Sequence, residues 1–478
     1  MNPSRHRYVW MISLIAALGG LLFGYDWVVI GGAKPFFERY FELKDTAASG
    51  WANSCSLIGC LFGALVTGVA SDRFGRKSLL FLAALLFVVT SLGNAFAQTF
   101  GAFVAWRMSG GVAIGLAAGL SPMYIAEVAP AASRGRLVSL NQLTIVIGIL
   151  LAQLTNWFIV RDLPSGASDA FVRGSWYGQS AWRWMFGLTA VPAAFFAFAV
   201  LFVPESPRWL AKKGRLDRAR AILTRLGGAD YAQSELAQVQ GSLSEGSVGA
   251  RGLRQLFDPC LRRALALGVI LAVFQQWCGI NVVFNYAEEI FREAGYDISS
   301  VGKNIAWSGS VNLVFTIAAL GLVDKWGRRP LLLTGASALA LIYTALGYCY
   351  HHAILGLPLL LLVLAAIASY ALTLAQVTWV VISEVFPNRI RGAAMSVSVA
   401  ALWTACFILT YTFPLLNHRL GAAGTFWVYA GVCVAGFCYI FKALPETANR
   451  SLEEIEHMLV RPDATPGSPA ALNPRPEP

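Results

Sequence analysis

Asp26 stands in "LLFGYDWVVIGG" (21–32), a run otherwise soluble in lipid. A carboxylate at the centre of a membrane span costs about 2.5–3.5 kcal/mol on insertion scales, so a chain keeps one there for a use. The available partner is Arg107, in "RMSGGVAIG" (107–115). If the first apolar helix starts near Tyr8 and ends near Gly32, Asp26 lies six residues, about 9 Å, below the surface where that helix ends. A helix running the other way from about Phe100 puts Arg107 about 10 Å below the same surface. Opposite charges at matching depth predict an ion pair. The chemistry open to such a pair is proton transfer: the carboxyl holds a proton while the guanidinium is withdrawn and releases it when the guanidinium returns. The structural alternative is a permanent pair that fixes two helices.

A second set of charges occurs twice. "SDRFGRK" (71–77) returns as "VDKWGRR" (323–329), "EVAPAASRG" (127–135) as "EVFPNRIRG" (384–392), and "PES" (204–206) as "PET" (445–447). The offsets are 252, 257 and 241 residues, in one order, so the chain is a tandem repeat. Asp72 and Arg76 can join Glu127 and Arg134 in a charge-assisted network tying helix ends together, and Asp324, Arg328, Glu384 and Arg391 are their counterparts. Gly75 and Gly327 supply the tight turns between helices. These residues read as a gate at one mouth, intact when that mouth is closed. Solvated surface pairs, each worth little, are the plain alternative, but they leave the duplication unexplained.

The elements that must position these residues are membrane helices. The 478 residues are 56% hydrophobic and 13% charged, against roughly 25% charged in soluble domains. Twelve apolar runs are long enough to span, at about 8–32, 48–70, 78–97, 100–126, 137–159, 182–203, 261–290, 300–323, 330–352, 355–386, 393–416 and 421–443. The expected organisation is a six-helix half over 1–203, a polar linker with short surface helices over 204–260, a second half over 261–443 and a Pro/Ala-rich, partly disordered tail over 444–478. The basic clusters 4–7, 72–77, 133–136, 324–329 and 388–391 fall on one side together with the linker, which places both termini in the cytoplasm. That clustering in short loops also accounts for the net charge of +11 without nucleic acid. The apolar stretch at the N-terminus continues past any cleavage site and reads as an uncleaved first span. The eight cysteines are scattered without metal spacing, and the histidines, at 6, 351, 352, 418 and 457, join no catalytic constellation. No enzyme activity, cofactor or metal is expected. Two parallel repeats of this kind build carriers that hold their substrate between the halves at mid-membrane and open alternately to either side.

The motifs "PESPRWL" (204–210), "PET" (445–447), "RMSGGVAIG" (107–115) and "QQWCGINVVFNY" (275–286) identify the chain, over roughly 8–460, as resembling the sugar porters of the major facilitator superfamily, within them the bacterial sugar–proton symporters and more distantly the glucose facilitators. The resemblance implies an all-α integral membrane protein with twelve transmembrane helices in two pseudo-symmetric halves, monomeric, in the cell (inner) membrane. It implies substrate contacts from Phe23, Gln142, Gln275, Gln276, Asn281, Asn312, Trp379 and Trp403, and proton coupling at Asp26 with Arg107, because proton symporters carry Asp in "GYD" where facilitators carry Asn. The chemistry fits a pyranose: amides donate and accept to hydroxyls, and indoles cover its apolar face. Gln276 and Asn281 are five residues apart on one helix, so a break near Gly279 is expected to turn both inward.

Where the family has an amide before the eleventh-helix Trp this chain has Leu402; a Gly-Pro pair is Ala375-Gln376; a frequent Tyr is Asn285; and a further acid of the sixth helix is Thr189. The expected function is import of a hexose or pentose by proton symport. The alternatives are a facilitative uniporter for a sugar or a polyol such as inositol and, from another class, a non-transporting sugar sensor.

Overall fold

The computed structural model describes residues 3–164, 168–244, 261–296, 298–386 and 391–447. Among them no strand occurs, and eleven helices are long and apolar enough to cross a membrane. The last of these, Gly392–Ala443, contains two passes, because Gly421 (φ 67°, ψ 173°) breaks it in the middle. The result is twelve spans, in two halves of six with the same order. Spans 1–5 are Pro3–Tyr40, Thr46–Phe74, Arg76–Ala95, Phe100–Val128 and Ala131–Val160. Span 6 is assembled from a π turn, Tyr177–Ala181, and two helices, Trp182–Gly187 and Ala190–Val200. Spans 8 and 9 are Ile298–Trp326 and Arg328–His351, and spans 11 and 12 lie on either side of Gly421.

Two spans are broken where backbone geometry leaves the helical region. Span 7 stops at Trp277, turns at Gly279 (φ 89°) and resumes as Ile280–Asn285 and Ala287–Glu293. Only glycine adopts that left-handed conformation without penalty, so the break expected at this position is present. Span 10, read from the sequence as continuous over 355–386, breaks at Thr373 (φ −125°, ψ −87°) into Leu357–Leu372 and Leu374–Val385.

Within the first half, spans 1 and 5 and spans 2 and 4 make the most intimate contacts. The glycines of "RMSGGVAIG" explain the second pair. A Cβ on Gly111 would lie 1.9 Å from the Ser56 carbonyl, and one on Gly115 2.3 Å from that of Cys60. Backbone meets backbone there, which presses span 4 onto span 2 and seats Arg107 against it.

Each loop helix has a local cause. Pro207–Lys212 begins at Ser206, whose Oγ accepts from Trp209 N at 3.2 Å, with Pro207 in the first position where no donor is needed. Leu216–Gly227 buries Ala219, Leu223 and Leu226, one stripe of an amphipathic helix. With Ala229–Ser244 these helices gather beneath span 1, where Arg5 Nη1 donates to the Gly227 carbonyl at 3.4 Å. The described linker helices, the start of span 1 and the segment that follows span 12 lie at one end of the bundle, here called the basic end.

The halves touch elsewhere. Lys34 pairs with Glu289, Gln153 Nε2 donates to Ser308 Oγ at 3.3 Å, the Trp51 and Phe407 rings meet at 6.3 Å, and Trp27 meets Trp403 at 5.8 Å. These contacts run from mid-depth to the end opposite the termini.

Candidate functional site

Arg107 Nη1 donates to both carboxylate oxygens of Asp26, at 3.2 and 3.1 Å, and Nη2 donates to Ser56 Oγ at 3.3 Å. The guanidinium lies 5.2 Å from the centre of the Phe186 ring, and the two charged residues are 1% and 5% exposed. The depth argument needs correction even though the pair exists. Span 1 does not end at Gly32 but continues to Tyr40, so Asp26 lies fourteen residues, about 21 Å, from its end. The glycines do not stop the helix because Gly31 packs on span 7, where a Cβ would lie 2.7 Å from the Phe284 carbonyl. Beyond them the polar residues find partners: Lys34 meets Glu289 and Glu38, and Ser49 donates to Glu38. Thr189, where the resemblance leads to an acid, is wholly buried at the joint between the two helices of span 6.

Next to Asp26, the same helix contributes to an aromatic cluster at mid-depth. Phe23, Trp27 and Trp403 lie with ring centroids 5.8–6.0 Å apart, so the rings of span 1 meet that of span 11. Trp27 was not among the expected residues. Its position four residues after Phe23, one helical turn on, is the signal that would have found it.

The amides of span 7 form a chain. Gln276 Nε2 donates to Gln275 Oε1 at 2.8 Å, and Asn281 Nδ2 donates to Gln276 Oε1 across the Gly279 break. All three are buried, as is Asn312, while Gln142 and Trp379 are half-buried. Gln376 is committed elsewhere: its Nε2 donates to the Thr316 carbonyl at 3.1 Å, joining spans 10 and 8. Leu402 and Asn285 are buried.

At the basic end the two expected networks are present in part, each inside its own half. Arg76 Nη1 donates to Asp72 Oδ1 at 3.2 Å and Nη2 to Glu127 Oε1 at 3.0 Å, while Lys212 Nζ donates to the other Asp72 oxygen at 2.8 Å. Arg328 Nη2 donates to Glu384 Oε1 at 3.2 Å. Arg134 is exposed and lies outside the Arg76 network, near Tyr231 of the linker instead. The side chains of Asp324 and Arg391 lie outside the described residues.

Sequence reading missed what Glu205 and Glu446 do. Glu205 Oε1 accepts from the backbone N–H groups of Arg76, Lys77 and Ser206 at 2.9, 3.1 and 2.8 Å. Glu446 accepts from those of Arg328 and Arg329 at 3.0 and 3.1 Å. These are helix N-termini, where unpaired donors and the helix dipole favour a carboxylate. Gly75 and Gly327 precede them with φ of 93° and 87°, and a Cβ on either would strike the capping carboxylate, so the turn requires glycine twice over. Ser206 and Thr447 then donate to Glu127 and Glu384 respectively. The repeated "PES" and "PET" were the signal.

Two halves of parallel order, a buried ion pair in the first and an amide-and-aromatic patch where they meet define a secondary carrier of the major facilitator class. Residues 12–459 match the sugar (and other) transporter family. The arabinose–proton symporter of Bacillus subtilis is 36% identical, with 95% of this chain and 96% of that protein covered. The D-xylose–proton symporter of Escherichia coli is 37% identical, covering 94% and 95%. An inward-open structure of the Escherichia coli xylose transporter matches with a TM-score of 0.82, at 35% identity over 95% of this chain and all of that one. The chain belongs to the sugar (and other) transporter family and is a multi-pass membrane protein.

Proposed function

We propose that this chain imports a monosaccharide, a pentose or a hexose, by symport with a proton. The observation that carries the reading is the placement of both devices on span 1: Asp26, bound to Arg107, directly precedes Trp27, which packs on Trp403 of the other half. A change in how the halves meet at the sugar is therefore transmitted along one helix turn to the ion pair. Sugar enters a site made by Phe23, Gln142, Gln275, Gln276, Asn281, Asn312, Trp379 and Trp403, with Trp27 added. The Asp26–Arg107 pair is the element assigned to carry the coupled proton. The relatives named above, which carry arabinose or xylose with protons, support this substrate class.

The basic end faces the cytoplasm of a cell membrane, by the bias of Lys and Arg to that side. The described contacts between halves lie from mid-depth to the opposite, outer end, and the likeness to an inward-open structure supports an inward-facing state. In that state Arg76 and Arg328 remain bound within their own halves. Their networks, made within each half and not across the mouth, then serve as braces that keep each half rigid as it rocks, in place of the gate read from the sequence, with the protein acting as a monomer.

Reconstituted vesicles given labelled xylose, arabinose, glucose, galactose and inositol, with and without an imposed pH gradient, test the reading. Accumulation of a monosaccharide that collapses when the gradient is dissipated is the expected result. Equilibration alone, at the same rate with and without the gradient, makes the protein a uniporter.

A further inference from the structure

Toward the end opposite the termini, a lysine is buried where the two halves meet. Lys34 of span 1 is 1% exposed, and Ala33, Phe36 and Phe37 of the same helix are buried around it. An ammonium in such surroundings is costly unless it is paired. Its hydrogen-bonded partner is Glu289 of span 7, in the other half. The Tyr286 ring, also of span 7, lies 4.9 Å from Lys34 Nζ and gives the cation an aromatic face. Span 11 fixes that ring: the Tyr286 hydroxyl donates to the Thr410 carbonyl at 2.7 Å, and the Phe413 ring lies 4.5 Å away. Gly31, one turn before Lys34, sets the two spans in backbone contact, since a Cβ there would lie 2.7 Å from the Phe284 carbonyl. The slot that receives the ammonium therefore exists only while the halves meet.

The other charges at this end have partners of their own. Glu38, one turn after Lys34, stands 3.7 Å from it and accepts from Ser49 of span 2. Glu288 pairs with Arg292 at 3.8 Å, Arg39 with Asp169 at 2.7 Å, and Glu293 accepts from Asn417 at 3.0 Å. Lys303 on span 8 is exposed. Burial within the Lys34–Glu289 pair is uneven: the lysine side chain is 1% exposed and the glutamate 20%. Losing the glutamate would strand a charge that water does not reach, whereas losing the lysine would leave a carboxylate that water still touches.

A buried ion pair seldom stabilises more than apolar groups of the same size would, but removing one partner is strongly destabilising. An apolar side chain at position 34 would close this mouth as well, so what the lysine adds is a condition. We propose that Lys34 and Glu289 form a latch: the halves close at this end only with the Glu289 carboxylate in place to receive the ammonium. When they part, both charges return to water, which keeps the closed arrangement reversible. The latch is a positioning pair, and it rests on the reading that the halves part alternately at this end.

The test uses the full chain in detergent micelles without sugar. Spin labels are placed at Lys44→Cys and Arg419→Cys, exposed positions at this end on either half, with Cys260 and Cys438 replaced by serine. Pulsed electron paramagnetic resonance then reads the distance across the mouth. In Glu289→Gln a longer distance should appear, its ratio to the short one raised about ten-fold or more over the natural sequence. Lys34→Met alone should keep the short distance, and Lys34→Met combined with Glu289→Gln should restore it, because no ammonium is then stranded. The proposal is overturned if Glu289→Gln stays closed, if the double variant is as open as Glu289→Gln, or if Lys34→Met opens the mouth by itself, which would make the pair a plain adhesive contact. Should Glu289→Gln fail to fold, the double variant decides: folded and closed is expected, and unfolded or open overturns the latch. Sugar uptake by vesicles tests the carrier reading separately, so an unmoved distance with uptake intact sinks the latch and leaves transport standing.

Discussion

Across the turn at Gly279, the Asn281 side-chain amide donates to Oε1 of Gln276, whose own amide donates to Oε1 of Gln275. Three residues that cannot share one face of a continuous helix are thereby joined in a single polar strip. The break makes this possible: Gly279 ends the first segment in a left-handed turn, and Ile280 restarts the helix with Asn281 facing back. A sugar hydroxyl can replace any link in this strip at little net cost, because the amides exchange one buried hydrogen bond for another.

Gln276→Ala or Asn281→Ala is accordingly expected to weaken sugar binding by about 1–3 kcal/mol, the range for a buried partner left unpaired. Equilibrium binding of the transported sugar checks this. Unchanged affinity in both variants moves the site away from span 7.

Trp27→Ala removes one of the three mutually contacting rings of Phe23, Trp27 and Trp403. Aromatic pairs contribute about 0.5–1.5 kcal/mol beyond the area they bury, so affinity should fall and the halves should lose a mid-depth contact. Binding and turnover measured together check the prediction: both should change, whereas a lining residue with no part in bringing the halves together would alter binding alone.

Much of this was legible in the sequence because it rests on strong terms. An apolar run of membrane length, a lone acid within it and a motif repeated at nearly constant offset each leave few alternatives. The Asp26–Arg107 pair was found by sign and depth, although the depth of Asp26 came from a helix end placed at Gly32. That error has a physical source. Glycines read as a stop in isolation, but here Gly31 is a contact surface for span 7, and Lys34 extends the helix by finding Glu289 in the other half. Tertiary partners of this kind cannot be read locally. The repeat of "PES" as "PET" marks Glu205 and Glu446 but not what they cap, since each carboxylate serves a helix more than a hundred residues away. The break at Thr373 has no glycine or proline at its centre to announce it.

Glu205→Ala and Glu446→Ala test the capping directly. Each removes the acceptor for orphan helix-start donors, which costs about 0.5–2 kcal/mol at a helix N-terminus. Thermal unfolding in micelles should show lower Tm for both, with sugar affinity retained. Normal stability in both variants would show that neither carboxylate supports its helix.

Arg76→Ala and Arg328→Ala should slow transport with little change in sugar affinity. Each arginine ties span ends together within one half, far from the amide strip, so its loss softens the moving body without touching the site. Single-turnover exchange and equilibrium binding, measured side by side, separate the two effects. A large loss of affinity at normal turnover would contradict the assignment.

Asp26→Asn separates binding from coupling. The amide is nearly isosteric with the carboxylate, retains an oxygen that can accept from Arg107 Nη1, and cannot ionise. It resembles a permanently protonated Asp26, so the half should still fold around Arg107, and Trp27 should still meet Trp403. Sugar affinity is expected to survive. Accumulation against a gradient should vanish, because no proton is carried in and released. Exchange of labelled for unlabelled sugar should persist, since it requires only that the loaded carrier rock. Arg107→Ala is the contrasting case: it leaves a buried carboxylate without its cation, and breaking a buried pair in that way costs about 3–5 kcal/mol. Asp26→Asn also leaves a buried charge, that of Arg107, without its partner, so stability should drop in both variants, and the asparagine variant is set apart by the amide oxygen that still accepts from Arg107 Nη1. If the asparagine variant still concentrates sugar under an imposed pH gradient, the pair is a strut between spans 1 and 4, and the proton travels elsewhere.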